Sequence, residues 1–182
     1  MNRFVSIGVV AIGLMAASAS ADATLSSPTD SKITFDAAGP AGLKIEGTTS
    51  DLNVAEDSGN VVITVPLANL TTGISLRDHH MKEKYLEVPK FPAATLTVPR
   101  AALKFPNPGE KAEGDVQATI SLHGQSRPLV VHYDAQDAGS ALAAHGTFRI
   151  NMNDFGITVP VYLGVTVKPD VDVSASFRVS KG

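Results

Sequence analysis

Apolar and polar side chains alternate with a period of two through most of the chain after Ser31. A strand inverts its side chain at every step, so this pattern marks strands with one dry face and one wet face. The clearest run is Val165 to Val179, where Val167, Val171, Val173, Ala175 and Phe177 fall on one side and Lys168, Asp170, Asp172, Ser174 and Arg178 on the other. Pro169 cannot donate to a ladder and is expected to divide the run into a short arm and a longer strand. The same alternation recurs around Ile33 and Phe35, Leu43 to Gly47, Val61 to Leu67, Ala94 to Val98, Val116 to Leu122, Leu129 to Tyr133 and Leu142 to Ile150, which predicts about eight strands. Turn-forming stretches separate them, among them Glu56-Asp57-Ser58-Gly59-Asn60, Pro106-Asn107-Pro108-Gly109 and His123-Gly124-Gln125-Ser126.

Consecutive antiparallel strands with one apolar face either close into a barrel or pack as two sheets, because an open edge invites association. Alternation alone does not choose between the two. Small residues at inward positions, Gly47, Ala118, Ala144, Gly146 and Ala175, favour residual space inside. A membrane barrel is disfavoured, since the outward positions are Thr, Lys, Glu, Asp and His and the chain has three Tyr and no Trp to build an aromatic girdle. One helix is predicted, Leu76 to Val88, capped by Ser75 or Thr72 and stopped by Pro89. Met81, Tyr85 and Val88 share one side of it, while Lys82, Glu83, Lys84 and Glu87 face water, so it suits either a plug for a barrel mouth or a cover for a sheet edge.

The first residues change the picture of where this domain works. Arg3 precedes an apolar run from Phe4 to Ala17, and Ala19-Ser20-Ala21 offers the small residues of a cleavage site, so residues 1–21 read as a signal peptide and 22–182 as one exported domain. The apolar run is shorter than the roughly 20 residues a membrane span needs, so the mature protein is expected to be soluble. No cysteine is present for a disulfide or a lipid anchor. Removal of the leader takes Arg3, leaving fourteen basic residues against eighteen acidic ones. Such a surface repels phosphate backbones, and nucleic acid is not an expected partner. A homodimer is left open.

Candidate chemistry is sparse. His79, His80 and Glu83 form the most metal-like group, but adjacent histidines diverge by about 100° around a helix and a third and fourth ligand are not placed. Serine, histidine and aspartate occur without a Gly-x-Ser-x-Gly elbow, no cysteine nucleophile exists, and no glycine-rich phosphate loop joins a strand to a helix. No catalytic residue, metal or cofactor is therefore assigned, and catalysis is not expected.

Four stretches together resemble the YceI-like family: Thr72-Gly73 with Leu76-Arg77-Asp78-His79-His80-Met81-Lys82 and Tyr85-Leu86-Glu87-Val88; Phe91-Pro92-Ala93-Ala94-Thr95; Leu122-His123-Gly124-Gln125-Ser126-Arg127-Pro128-Leu129; and Phe148 through Asp154-Phe155-Gly156-Ile157. The resemblance implies an all-β, eight-stranded antiparallel, lipocalin-like barrel with a short helix between strands. It also implies a periplasmic protein that binds or carries a long-chain apolar ligand such as a polyisoprenoid, a polyprenyl quinone or another fatty lipid. Carried onto this chain, Arg77, Asp78, His79, His80 and Tyr85 would form the mouth, with His123 and Phe155 as further rim or pocket residues. Arg77 and His80 would meet an oxygenated headgroup, Met81, Tyr85, Phe148, Phe155 and Tyr162 would line the tail path, and Ala144 would leave room for it. The chain departs from the family at Tyr85-Leu86-Glu87-Val88, which lacks an aromatic and an acid, and near Asp36 to Gly47. A periplasmic interaction module with a filled barrel, or a metal-assisted enzyme using His79, His80 and Glu83, are the competing readings.

Overall fold

The computed structural model describes residues 28–162 and 165–180. The leader expected over residues 1–21 lies outside the described residues.

The strands are β1 (Thr29–Ala38), β2 (Lys44–Thr49), β3 (Asn53–Asp57), β4 (Asn60–Pro66), β5 (Ala93–Pro99), β6 (Lys111–Leu122), β7 (Gln125–Asp137), β8 (Ala141–Asn151), the short pair β9 (Val161–Tyr162) and β10 (Val165–Thr166), and β11 (Asp170–Ser180). Nine of them form one antiparallel sheet in the order β2-β1-β11-β8-β7-β6-β5-β4-β3. Its two edge strands, β2 and β3, are consecutive in the chain and separated only by residues 50–52. A link of that length spans roughly 14 Å at most, so the two edges must meet. They are one bent stave, which makes the eight expected staves and curls the sheet into a barrel. A bridge completes the closure: the Thr48 N–H donates to Thr71 O (2.8 Å) and the Thr71 N–H to Thr48 O (2.9 Å), using the outer edge of β2.

Local chemistry fixes the register. Ser58 and Gly59, with φ of 50° and 81°, make the two-residue turn from β3 to β4. His123 and Gly124, at 51° and 72°, do the same between β6 and β7, the left-handed pair that matches strand twist. Glycine is also required at 124 because a Cβ there would come within 2.7 Å of the Phe91 ring. Asn53–Asp57 was not anticipated as a strand: Val54 is its single large apolar residue, so its alternation is too short to read. Pro169 divides β10 from β11 as expected, and the Lys168 N–H between them donates to Ala38 O (2.7 Å).

The helical segment opens as α1 (Ser75–His80) and continues as a wider π turn, Met81–Tyr85. Ile74 takes the cap position and no side chain caps it, in contrast to the cap expected from Ser75 or Thr72. Asp78 does related work from inside the first turn, accepting the Thr72 N–H.

The barrel interior divides lengthwise. At the end that carries α1, Leu67, Leu70, Ile120, Leu122, Met152, Phe155, Ile157 and Val167 form a packed cluster, with Met81, Tyr85, Leu86 and Val88 against it. Toward the other end, two further clusters built on Val54, Val61 and Val179 and on Val98, Val116 and Val131 line opposite walls.

Candidate functional site: an apolar channel at one barrel end

Between those walls lies an apolar cavity of about 120 Å³. Its origin is readable from the ladders. Ala144 pairs with Ala135 on β7 and Phe177 on β11, and Gly146 pairs with Tyr133 and Ala175. Four small residues, Ala135, Ala144, Gly146 and Ala175, thus adjoin across three strands and leave space that larger residues would fill. Along β8 the lining runs from Leu142 to Phe148, a length of roughly 20 Å at strand rise. Leu96 and Phe148 form its floor, for both also pack against the cluster at the α1 end.

The mouth is at the opposite end from α1, beside the β5–β6 connection. Leu103, Lys104 and Phe105 of that connection contribute to the wall, and Phe105 is 45% exposed. The connection is pinned in place: the Lys104 N–H donates to the Tyr133 hydroxyl (2.7 Å), and the Arg100 guanidinium lies 4.7 Å from the Phe105 ring centroid while its Nε donates to Glu56 Oε1 (2.8 Å).

Of the residues singled out from sequence, Ala144 and Phe148 lie on this wall. The others gather at the α1 end. Met81 and Tyr85 are half-buried against the packed cluster, and Phe155 is 2% exposed within it. His79 and His80 are exposed, with ring centroids 6.1 Å apart. Arg77 turns back on the chain, donating from Nε to Thr72 Oγ1 (2.7 Å) and from Nη2 to Thr72 O (2.8 Å). His123 is bonded through Nδ1 to Phe155 O (3.0 Å) and through Nε2 to Glu87 Oε2 (2.8 Å), with its ring against Phe91. Tyr162 belongs to β9, and its side chain lies outside the described residues. Leu103, Lys104 and Phe105 were missed by sequence reasoning; the available signal was an aromatic just ahead of the Pro106 to Gly109 turn, where burial is not expected.

Electrostatics separate the two ends further. Asp78 accepts from the Thr71 hydroxyl (2.5 Å), the Thr72 hydroxyl and the Thr72 N–H (2.7 Å). Partial burial pushes its carboxyl up, but these hydrogen bonds, with Lys82 nearby, hold it below its ordinary value. The Asp78 network thereby ties α1 to the residue that closes the barrel at Thr48.

Two other constellations bear on chemistry. On the outer face, His145 contacts Asp134 Oδ2 through Nδ1 (3.0 Å) and Ser174 Oγ through Nε2 (3.1 Å). This has the order of an acyl-transfer triad, but β8 is flanked on both sides by paired strands, which commit the surrounding N–H groups to the ladder rather than to an oxyanion. Among the described residues no three His, Asp or Glu side chains converge as a metal site.

A sequence profile of the YceI-like domain matches residues 25–179. The chain belongs to the YceI-like family. It is 31% identical over 136 residues to a UPF0312 protein of Pseudomonas savastanoi pv. phaseolicola, covering 71% of this chain and 67% of that protein. It is 29% identical over 116 residues to a UPF0312 protein of Vibrio cholerae serotype O1, covering 59% and 57%. Among solved structures, a polyisoprenoid binding domain from Saccharophagus degradans, implicated in plant cell wall breakdown, superposes with a TM-score of 0.73 at 20% identity, over 87% of this chain and 98% of that one. Burkholderia cenocepacia BcnA superposes with a TM-score of 0.64 at 15% identity, over 81% and 95%. These YceI-like neighbours share the curled antiparallel sheet.

Proposed function

We propose that this YceI-like protein binds the apolar chain of a lipid, a polyisoprenoid, polyprenyl quinone or similar long molecule, in the channel that opens beside Phe105, and that it does so in the periplasm after cleavage before Asp22. The observation that carries the reading is the channel itself, a space inside the barrel lined mainly by Val, Leu, Ile, Phe, Ala and Gly, with Lys104 and the Tyr133 hydroxyl at its mouth. Empty cavities of that chemistry stay dry and accept hydrocarbon; one of about 150 Å³ takes benzene. Each CH₂ moved from water into such a space contributes about 0.8 kcal/mol, so affinity accrues with chain length while the headgroup supplies little of it. The leader's Arg3, apolar run and Ala19-Ser20-Ala21 support export, and no described helix is long and apolar enough to cross a membrane.

At about 120 Å³ the channel is smaller than the roughly 300 to 1,000 Å³ of sites that enclose a drug-sized ligand. A long chain therefore enters by its tip, and the remainder either trails past Phe105 or displaces the Leu103 to Phe105 connection. Packing at the α1 end makes that connection the yielding side, because Phe155, Ile157 and Val167 are buried behind the floor. The protein purified from a periplasmic fraction, extracted with organic solvent and examined by mass spectrometry, is expected to release one isoprenoid or fatty species in stoichiometric amount. Extracts holding nothing beyond those of an unrelated periplasmic protein would overturn the reading.

A further inference from the structure

Resting on the channel reading, we propose that the channel selects single-chain amphiphiles with an anionic head, and that the Lys104 ammonium is the group that meets it. The wall is chiefly apolar and its one hydroxyl, that of Tyr133, lies against the Lys104 N–H beside the mouth, so a headgroup finds its polar partners there. Nearby, Glu56 is ion-paired with Arg100 (2.8 Å) and Asp134 bonds His145 (3.0 Å), while Glu110 and Asp57 bond only neutral groups, the Asn107 side-chain amide (2.8 Å) and the Ser58 hydroxyl (2.9 Å). Lys104 contributes to the channel wall, is exposed, and makes no ion pair among the described residues. Its backbone is held by the Tyr133 hydroxyl, so the root of the side chain is fixed at the entrance while the ammonium remains free to move to an incoming anion. The aliphatic stem would lie along the first carbons of the chain and the charge would meet the head in water. A carboxylate or a phosphate monoester satisfies this chemistry; a quinone or an alcohol makes no use of the charge.

The test compares octanoate, octyl phosphate and octanol, which share one chain and differ in the head, by calorimetric titration at neutral pH. An exposed ion pair of this kind is worth roughly two- to fivefold in affinity. The affinity of octanoate relative to octanol should therefore fall by roughly that factor in Lys104→Gln and further in Lys104→Glu, and should be unmoved by Lys32→Gln on the outer face. If octyl phosphate responds to these substitutions and octanoate does not, the head is assigned to phosphate. If octanol binds and neither anion's ratio to it moves in the Lys104 variants, the inference is overturned and the channel stands. If none of the three binds the wild-type protein, the channel reading falls with it.

Discussion

The α1 end and the Phe105 end of this barrel are built on the same strands and the same alternation, yet one is filled and the other is open. At the α1 end the inward positions are Ile120, Leu122, Met152 and Phe155, supplemented by Met81, Tyr85, Leu86 and Val88 from the segment between β4 and β5. At the other end the inward positions of β7, β8 and β11 include Ala135, Ala144, Gly146 and Ala175. The period of two determines which residues point inward; their volume determines whether anything else can join them. A barrel of eight staves has an interior just wide enough for its own side chains or one slender ligand, and here each outcome occupies its own half.

The largest effect expected from testing this division is on stability at the filled end. Phe155→Ala removes a ring that is 2% exposed, and such truncations cost about 3 to 5 kcal/mol. Urea denaturation should show a loss of that size. Because Phe155 is not on the channel wall, octanol affinity of the folded variant should stay within about twofold of wild type. A tenfold loss of binding in that variant would show that the two ends are not independent.

A smaller cost in stability and a larger one in binding is expected at the open end. Ala144→Phe places a ring opposite Phe177 and Ala135, in the space the small residues leave. Overpacking costs about 1 to 3 kcal/mol in a filled core, and the lower part of that range is expected where a void receives the ring. Octanol and octanoate binding should fall at least tenfold while the far-ultraviolet circular dichroism is retained. Unchanged binding would place the ligand elsewhere in the barrel.

Much of this architecture was legible in the residues. Most strand positions, the division at Pro169 and the small inward residues Ala144, Gly146 and Ala175 followed from alternation and volume, properties local to each strand, whereas Ala135 was not singled out and Gly47 and Ala118 lie off the channel wall. The barrel closure was not, because it depends on Thr48 meeting Thr71 and on β2 bending into β3, contacts that no periodicity records. The site divided the same way. Ala144 and Phe148 lie on the channel wall, having been read from strand faces. The mouth at Leu103 to Phe105 was missed because a loop has no repeat to read, and its position over the channel is set by long-range bonds, from the Lys104 N–H to the Tyr133 hydroxyl and from Arg100 to Glu56 and to Gly59 O. The motif residues Arg77 and His123 lie at the α1 end, where they bond backbone: Arg77 to Thr72, and His123 to Phe155.

The smallest expected effect sharpens the comparison most, because it should touch one end alone. Asp78 gathers the Thr71 and Thr72 hydroxyls and the Thr72 N–H, so it fastens α1 to the residue whose bridge to Thr48 closes the barrel. Asp78→Asn keeps the size of the side chain but weakens these charge-assisted bonds, and on a half-exposed group the loss should be about 1 kcal/mol. The sign of its pH dependence follows from the direction of the shift. The folded carboxyl is held below its ordinary value of 3.8, so its contribution is complete above that value and fades as pH falls through the lower, folded one. The difference in stability between wild type and Asp78→Asn should therefore be constant from neutral pH down to about 5 and should shrink below about 4. Asp172, which the Arg149 guanidinium also holds low, titrates in the same acid window. It is present in both proteins, so subtracting one stability curve from the other removes its share and leaves that of Asp78. Hydrogen exchange should quicken at the amides of α1 with octanol binding unaltered, whereas a coupled loss of octanol affinity would mean that the plug and the channel open together.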